Sequence, residues 1–288
     1  MGAGWPNILS ACAVPLSKLQ SHLLRLLASQ RSPESYVAGA AALNRDGPRY
    51  SGDIDIFQDG DERLVAIAES DGGLIITAGL DLTWLPSRGS GKRAALVAGL
   101  GESTQLERVA DSDFRFFPAQ PDELFGYVLH PADLATNKAS AAADRRVPRD
   151  IVDLVTIHDR ILPLGAVITA AVGRFPGMTP EGMLSEIRRH GTFTADEFQA
   201  LAMESPIDVR QTHHRIKTML DDAESFITRL PSDAIGFLFL HDGQVVQPDP
   251  DRLGDYETHA GARHGHWPSS SQIGSAMLER YARPPGGD

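Results

Sequence analysis

The amino-acid sequence predicts an α/β (α+β) chain: a mixed sheet with flanking helices, followed by a mostly helical C-terminal region. Three observations predict it. Over 51–57 apolar and polar residues alternate, the period of a half-buried strand. Short strand-like stretches recur at 80–85, 93–98 and 103–109. From Pro131 onward the apolar spacing becomes helical, with helix-start signals at Pro131, Thr179 and Thr194.

A chain of 288 residues holds one large domain or two modest ones. The expected division is a core over 1–129, a helical C-terminal domain over 130–248 and a flexible tail over 249–288. Apolar and charged fractions are those of an ordinary globular chain. No apolar run approaches the roughly 18 residues that span a bilayer, so no membrane partner is expected. The N-terminus lacks the basic, apolar and small-residue succession of a signal peptide. Cys12 is the only cysteine, which precludes an internal disulfide framework and fits a reducing compartment. The net charge of −11 argues against a generic polyanion binder and suits a basic partner protein, while a local basic patch remains compatible with RNA.

Along the chain, Leu16, Leu19, Leu23, Leu24 and Leu27 lie at helical spacing, with Ser17 able to cap or simply to stand exposed, and Ser32-Pro33 breaks the run. A short strand over 36–38 leads to Gly39 and a short helix over 40–45, and Asp46-Gly47-Pro48 is a turn. The stretch 61–78 is read as a helix weakened by Gly72-Gly73. A Gly/Ser turn at 87–92 separates the next strands. Pro131 opens a helix with Asp133 at its positive end, and Val147-Pro148 closes it before a second helix begins at Arg149. An apolar, buried helix is expected over 157–172, a break at Phe175-Pro176-Gly177, and a helix capped by Thr179. A Thr194-x-x-Glu197 capping box opens another, followed by a long amphipathic helix over 209–228. Asp242-Gly243 signals a hairpin between 236–240 and 244–247. Over 252–271 little periodicity remains, and poor order is expected. His259, His264 and His266 in that setting read as a surface cluster rather than a metal site. His213-His214, adjacent on a helix, face different ways and do not bind a metal together.

Two stretches carry chemistry. The first is Arg49-Tyr50-Ser51-Gly52-Asp53-Ile54-Asp55-Ile56-Phe57. Asp53 and Asp55 point to one strand face while Ile54 and Ile56 point into the core. Two carboxylates so close repel, and a divalent cation with oxygen ligands removes the conflict. Upstream lie Gly39, Ala40-Ala41 and Arg45, a set able to bring backbone and positive charge to a phosphate. The second stretch, over 130–154, holds Asp133-Leu134-Ala135-Thr136-Asn137-Lys138 and Arg149-Asp150-Ile151-Val152-Asp153-Leu154. Lysine is a mobile point charge suited to polyphosphate, and Asp150 and Asp153 share one helix face. A surface lysine and helix-surface ion pairs of Arg149 and Asp150 are the plainer reading of that stretch alone.

In these two motifs the chain resembles the nucleotidyltransferase superfamily with the polymerase-β-like fold, and more closely the AbiEii/AbiGii toxin family of bacterial toxin–antitoxin systems. The resemblance covers about 36–243. It departs where the family has Gly-Gly-Thr and this chain has Gly39-Ala40-Ala41, lacking one glycine and the hydroxyl. It implies NTP-dependent transfer of a nucleoside monophosphate, with Asp53 and Asp55 and a third acid holding two Mg2+ ions. Glu107, inside a strand, is the best-placed third acid; Asp111 and Asp113 remain open. Gly39, Arg45, Arg49, Ser51 and Lys138 are then nucleotide-binding, and Asp53, Asp55, Lys138 and Asp153 catalytic, with Asp153 near the nucleophile and Asp150 structural. The implied acceptor is the 3′ end of tRNA, the implied partner a cognate antitoxin, and the implied setting the bacterial cytoplasm. Nucleotidylation of a protein, modification of a small molecule, and a non-catalytic nucleotide-binding or partner-binding protein are the alternatives.

Overall fold

The structure is a computed structural model, which describes residues 16–45, 47–86 and 89–268. Cys12, Asp46 and Ser87 of the turns, and the tail from 269 lie outside the described residues.

The first helix, α1 (Lys18–Leu27), starts where the sequence places it. Ser17 and Gln20 close a reciprocal capping box, and the leucine stripe is buried. Strand β1 (Ser35–Ala38) turns at Gly39 into a single helical turn, α2 (Gly39–Leu43). The acidic strand β2 (Asp53–Asp59) alternates half-buried and buried positions along its length. Helix α3 (Leu64–Thr77) forms despite its glycine pair, because Leu64, Ala68 and Ile75 are buried. Strands β3 (Asp81–Trp84), β4 (Lys92–Gly99) and β5 (Glu102–Asp111) follow as expected. Three short strands escaped the sequence reading: β6 (Phe114–Arg115), β7 (Gln120–Asp122) and β8 (Gly126–Val128). At two or three residues each, they are too short to show a period.

The main sheet has seven strands in the order β3-β4-β5-β2-β1-β8-β7. It is mixed: β2–β5 and β1–β8 are parallel, the other pairs antiparallel. Ile54, Ile56, Val37 and Leu106 pack on one face against the leucines of α1 and Ile75 of α3. Strand alternation therefore sends Asp53 and Asp55 to the opposite face.

Helices α4 (Pro131–Asp144), α5 (Pro148–Arg160), α6 (Leu164–Ala171), α7 (Pro180–His190), α8 (Ala195–Gln199) and α9 (Val209–Arg229) make up the helical part. They share one hydrophobic cluster that also takes in Phe116 and Phe117. Asp133 does more than face a helix dipole. It is buried, and its two carboxylate oxygens accept the Phe116 and Phe117 N–H groups at 2.7 and 3.0 Å, tying α4 to the sheet side. The single apolar helix expected over 157–172 is corrected to two, because Pro163 follows the end of α5 and stands as the N-cap of α6. A proline lacks the N–H that a continuous helix needs and clashes with the preceding turn.

The hairpin forms at Asp242-Gly243, both at positive φ, between β9 (Phe237–His241) and β10 (Gln244–Val246). The expected disorder over 252–271 is corrected for its described part. Strand β11 (Glu257–Ala260) pairs with β9, and β12 (Ala262–Arg263) pairs with β6. His259 is accordingly not on the surface. It is 2% exposed, stacks on Phe117 with ring centroids 4.5 Å apart, and its Nε2 lies 2.8 Å from the Phe116 carbonyl. Burial pulls its pKa below the usual imidazole range. His264 instead lies 3.0 Å from Asp59, which also pairs with Arg115. No described helix is long and apolar enough to cross a membrane.

Candidate active site

Asp55 is framed on both sides by neighbouring strands. On β5, Glu107 stands directly opposite it, and on β1, Ala38 does. The next residue, Gly39, turns the chain at φ +65 and lies so close that a methyl there would fall 1.9 Å from Asp55 Oδ2. Asp53 begins the strand. The Ser51 hydroxyl donates to the Asp53 carbonyl at 2.7 Å and reaches its carboxylate at 3.3 Å, so Ser51 positions Asp53.

Burial, then the charges of Asp53 and Glu107, push the Asp55 carboxyl up to about 6, against the pull of Lys138 and Arg149. An acid held above its ordinary value in the folded chain binds its proton more tightly there than in the unfolded chain. Stability from this group is greatest at low pH and declines as pH rises through about 6. Asp55→Asn, in the absence of divalent ions, is expected to stabilise the chain by roughly 1–2 kcal/mol at pH 7.5 and by about half as much at pH 5, where the folded carboxyl is protonated and the unfolded one is not. Thermal unfolding at the two pH values tests this; destabilisation at both would refute it.

Hard carboxylate oxygens carrying surplus negative charge fit a divalent cation, and Asp53 and Asp55 are such a pair. The third expected ligand is only partly in place. Glu107 is beside Asp55, but Gln105 and Lys92 hold its two oxygens. Asp111 pairs with Arg174 at 3.3 Å and Asp113 with Arg263. Among the described residues no group of three acids, histidines or cysteines is arranged to hold a metal ion.

The second motif folds against the first. Asp153, fully buried on α5, receives Arg49 in a two-pronged pair at 2.8 Å on each prong, Asn44 at 3.0 Å and Lys138 at 2.9 Å. Lys138 on α4 also pairs with Asp150 at 2.8 Å, and Arg145 reaches the other Asp150 oxygen at 2.7 Å. Burial alone would raise the Asp153 pKa, yet Lys138 and Arg49 outweigh it and hold the acid below its ordinary range. Lys138 is held above its ordinary range by Asp153 and Asp150 against its own burial. Asp150 bonds to a nearby arginine, Arg145, as expected.

Two of the expected site residues are engaged by other side chains. Asp153 has both oxygens held by Arg49, Asn44 and Lys138, and a buried carboxylate so engaged is a poor proton acceptor. Arg45 pairs with Asp122 and lies over the Phe125 ring, 5.4 Å from its centroid. Conversely, the sequence alone suggests for Arg149 only a surface ion pair. The structure aims its guanidinium at Asp53, with Nη1 3.7 Å from Oδ2. Its place in the first turn of α5, next to Pro148, was the available signal.

No family model matches the chain, and no curated protein matches it. Among solved structures, MenT4, a nucleotidyltransferase toxin from Mycobacterium tuberculosis H37Rv, matches with a TM-score of 0.51 at 19% identity, over 75% of this chain and 83% of that one. That likeness establishes a shared fold. Two further matches, both at 13% identity and TM-score 0.28, are Cid1, described for its RNA terminal uridylyl transferase activity, over 84% of this chain and 71% of that one, and a cytoplasmic RNA terminal U-transferase, over 92% and 86%.

Proposed function

We propose that this chain is a nucleotidyltransferase of the AbiEii/AbiGii kind, which moves a nucleoside monophosphate from a nucleoside triphosphate to an acceptor hydroxyl. The observation that carries the reading is the Asp53–Asp55 pair on a strand face beside Gly39, roofed by the Arg49–Asp153–Lys138–Asp150 network. The fold shared with MenT4 supports it. In the reaction the acceptor oxygen bonds to the α-phosphorus, the α–β phosphoanhydride bond breaks, and pyrophosphate leaves with the electron pair. The hydroxyl proton passes to water, since Asp153 has no free oxygen to take it.

Asp53 and Asp55 would hold Mg2+, which when bound lowers the pKa of the attacking hydroxyl and offsets charge on the leaving pyrophosphate. Ser51 fixes the Asp53 carboxylate, Gly39 leaves room for that of Asp55, and Arg49 and Lys138 hold Asp153 and so set α5 against the sheet. The division of labour near residue 130, a sheet core before it and a helical part after it, belongs to the same reading.

The acceptor we favour is the 3′ end of tRNA, with the chain acting as a toxin countered by a cognate antitoxin in the bacterial cytoplasm. A non-catalytic nucleotide-binding protein is the second reading. It is favoured by Lys138 and Arg49, whose donors face carboxylates rather than open space. The test incubates purified protein with Mg2+, bulk tRNA and each α-labelled nucleoside triphosphate in turn, with Asp53→Ala alongside. Label entering tRNA only with the wild type is the expected result. Label entering protein alone would replace the acceptor, and no transfer to either would favour the second reading.

A further inference from the structure

Resting on the transferase reading, we infer that Arg149, with the outer end of Arg145 beside it, is the cation that grips the phosphate chain of the nucleotide, and that Lys138 is a positioning residue. The donors around the two aspartates divide into engaged and available ones. Lys138 is 9% exposed at its side chain and bonded to both Asp150 and Asp153. Arg49 is 4% exposed and fully engaged by Asp153 and the Tyr50 carbonyl. Either could turn to a ligand only by breaking buried ion pairs, Lys138 those with Asp150 and Asp153 and Arg49 its two-pronged pair with Asp153, which is costly.

Arg149 differs on each count. Its side chain is 37% exposed, and its only close partner among the described residues is Asp53, at 3.7 Å, beyond hydrogen-bond reach. Its guanidinium therefore stands beside the carboxylates with its donors open. Arg145, 47% exposed, engages Asp150 through Nε and Nη2, so its Nη1 has no hydrogen-bond partner among the described residues. A planar guanidinium presents paired N–H groups that match phosphate oxygens, which an ammonium does not. Arg149 also sits in the first turn of α5, a helix of 13 residues, where the local field favours anions. A ligand bringing negative phosphate and a divalent cation together would give Arg149 and Asp53 a partner each.

The test is equilibrium binding of the four non-hydrolysable α,β-methylene ribonucleoside triphosphates in Mg2+, by titration calorimetry on the full chain. Wild type is expected to bind at least one. Arg149→Gln is expected to weaken that binding about tenfold or more, since charge-assisted hydrogen bonds are lost. Arg149→Lys should recover part of the affinity, and neither change should lower the unfolding temperature appreciably because the side chain is partly exposed and makes no hydrogen bond that either change would break. Lys138→Met should instead lower the unfolding temperature well below that of either Arg149 variant. If wild type binds an analogue and Arg149→Gln binds it equally well, the inference fails and the transferase reading stands. If wild type binds none of the four, both fail. Binding lost in Lys138→Met at unchanged unfolding temperature would return the role to Lys138.

Discussion

Gly39→Ala is expected to reduce nucleotide transfer about a hundredfold or more, the scale at which a misplacement of about 1 Å at a reacting centre is felt. Two independent penalties meet at this position. Gly39 has φ +65, a left-handed conformation that costs a residue bearing Cβ roughly 1–2 kcal/mol. The new methyl would also overlap the Asp55 carboxylate, with the nearest oxygen 1.9 Å away. The backbone at 39 is held between β1 and α2, so the carboxylate must yield, and its yielding moves a cation ligand. Weaker Mg2+ binding should therefore accompany the loss of turnover, measured by titration with Mg2+ alone. A double-mutant cycle with Asp55→Gly isolates the cause. With the Asp55 side chain gone, Gly39→Ala should retain only its backbone penalty in unfolding experiments. Wild-type turnover and wild-type Mg2+ affinity in Gly39→Ala would refute the assignment.

The resemblance singled out Gly39 for its approach to phosphate. Its contact with Asp55 was not legible, because it depends on the register of β1 against β2, and one residue of slip would reverse every side chain. What was legible shared a local cause. Alternation at Asp53 to Phe57 placed both acids on one face, and the Ser17 and Thr194 caps marked helix starts, because each is decided within a few residues. Contacts across the chain were not. Asp153 meets Arg49 across 104 residues, and nothing local distinguishes that pairing from one with substrate. Arg45 and Arg149 show the same limit in opposite directions. Each is an arginine near a motif, and only the packing of α2 and α5 decides that one turns to Asp122 and the other to Asp53. The segment 252–268 was misread because its order comes from β9 and β6, to which it adds strands, and from Phe117, against which His259 stacks. Its own composition gives no such sign. Pro163 was a missed local signal: an interior proline already argues against one helix over 157–172.

Asp153→Ala is expected to destabilise the chain by about 3–5 kcal/mol, because it strands buried positive charge. Arg49 loses both prongs of its pair, Lys138 loses one of two carboxylates, and Asn44 loses an acceptor, all at sites from 1% to 8% exposed. For a chain of this size the unfolding temperature should fall on the order of 10 °C. The loss should be nearly constant from pH 5 to pH 8. Asp153 is held below its ordinary range, so its contribution is fully present above the unfolded carboxylate value and is lost only as pH falls through the depressed folded value. Arg49→Leu combined with Asp153→Leu should cost less than the two single changes added together, since the pair is replaced rather than broken. Transfer by Asp153→Ala, assayed below its own unfolding temperature, should fall because α5 and Arg149 lose their seat, with nucleotide affinity falling alongside. The contrary pattern, a wild-type unfolding temperature and wild-type nucleotide affinity with turnover lost, would make Asp153 a group that acts on the acceptor. It would also require an open conformation in which Arg49 and Lys138 release it, since the buried carboxylate has no other route to a substrate.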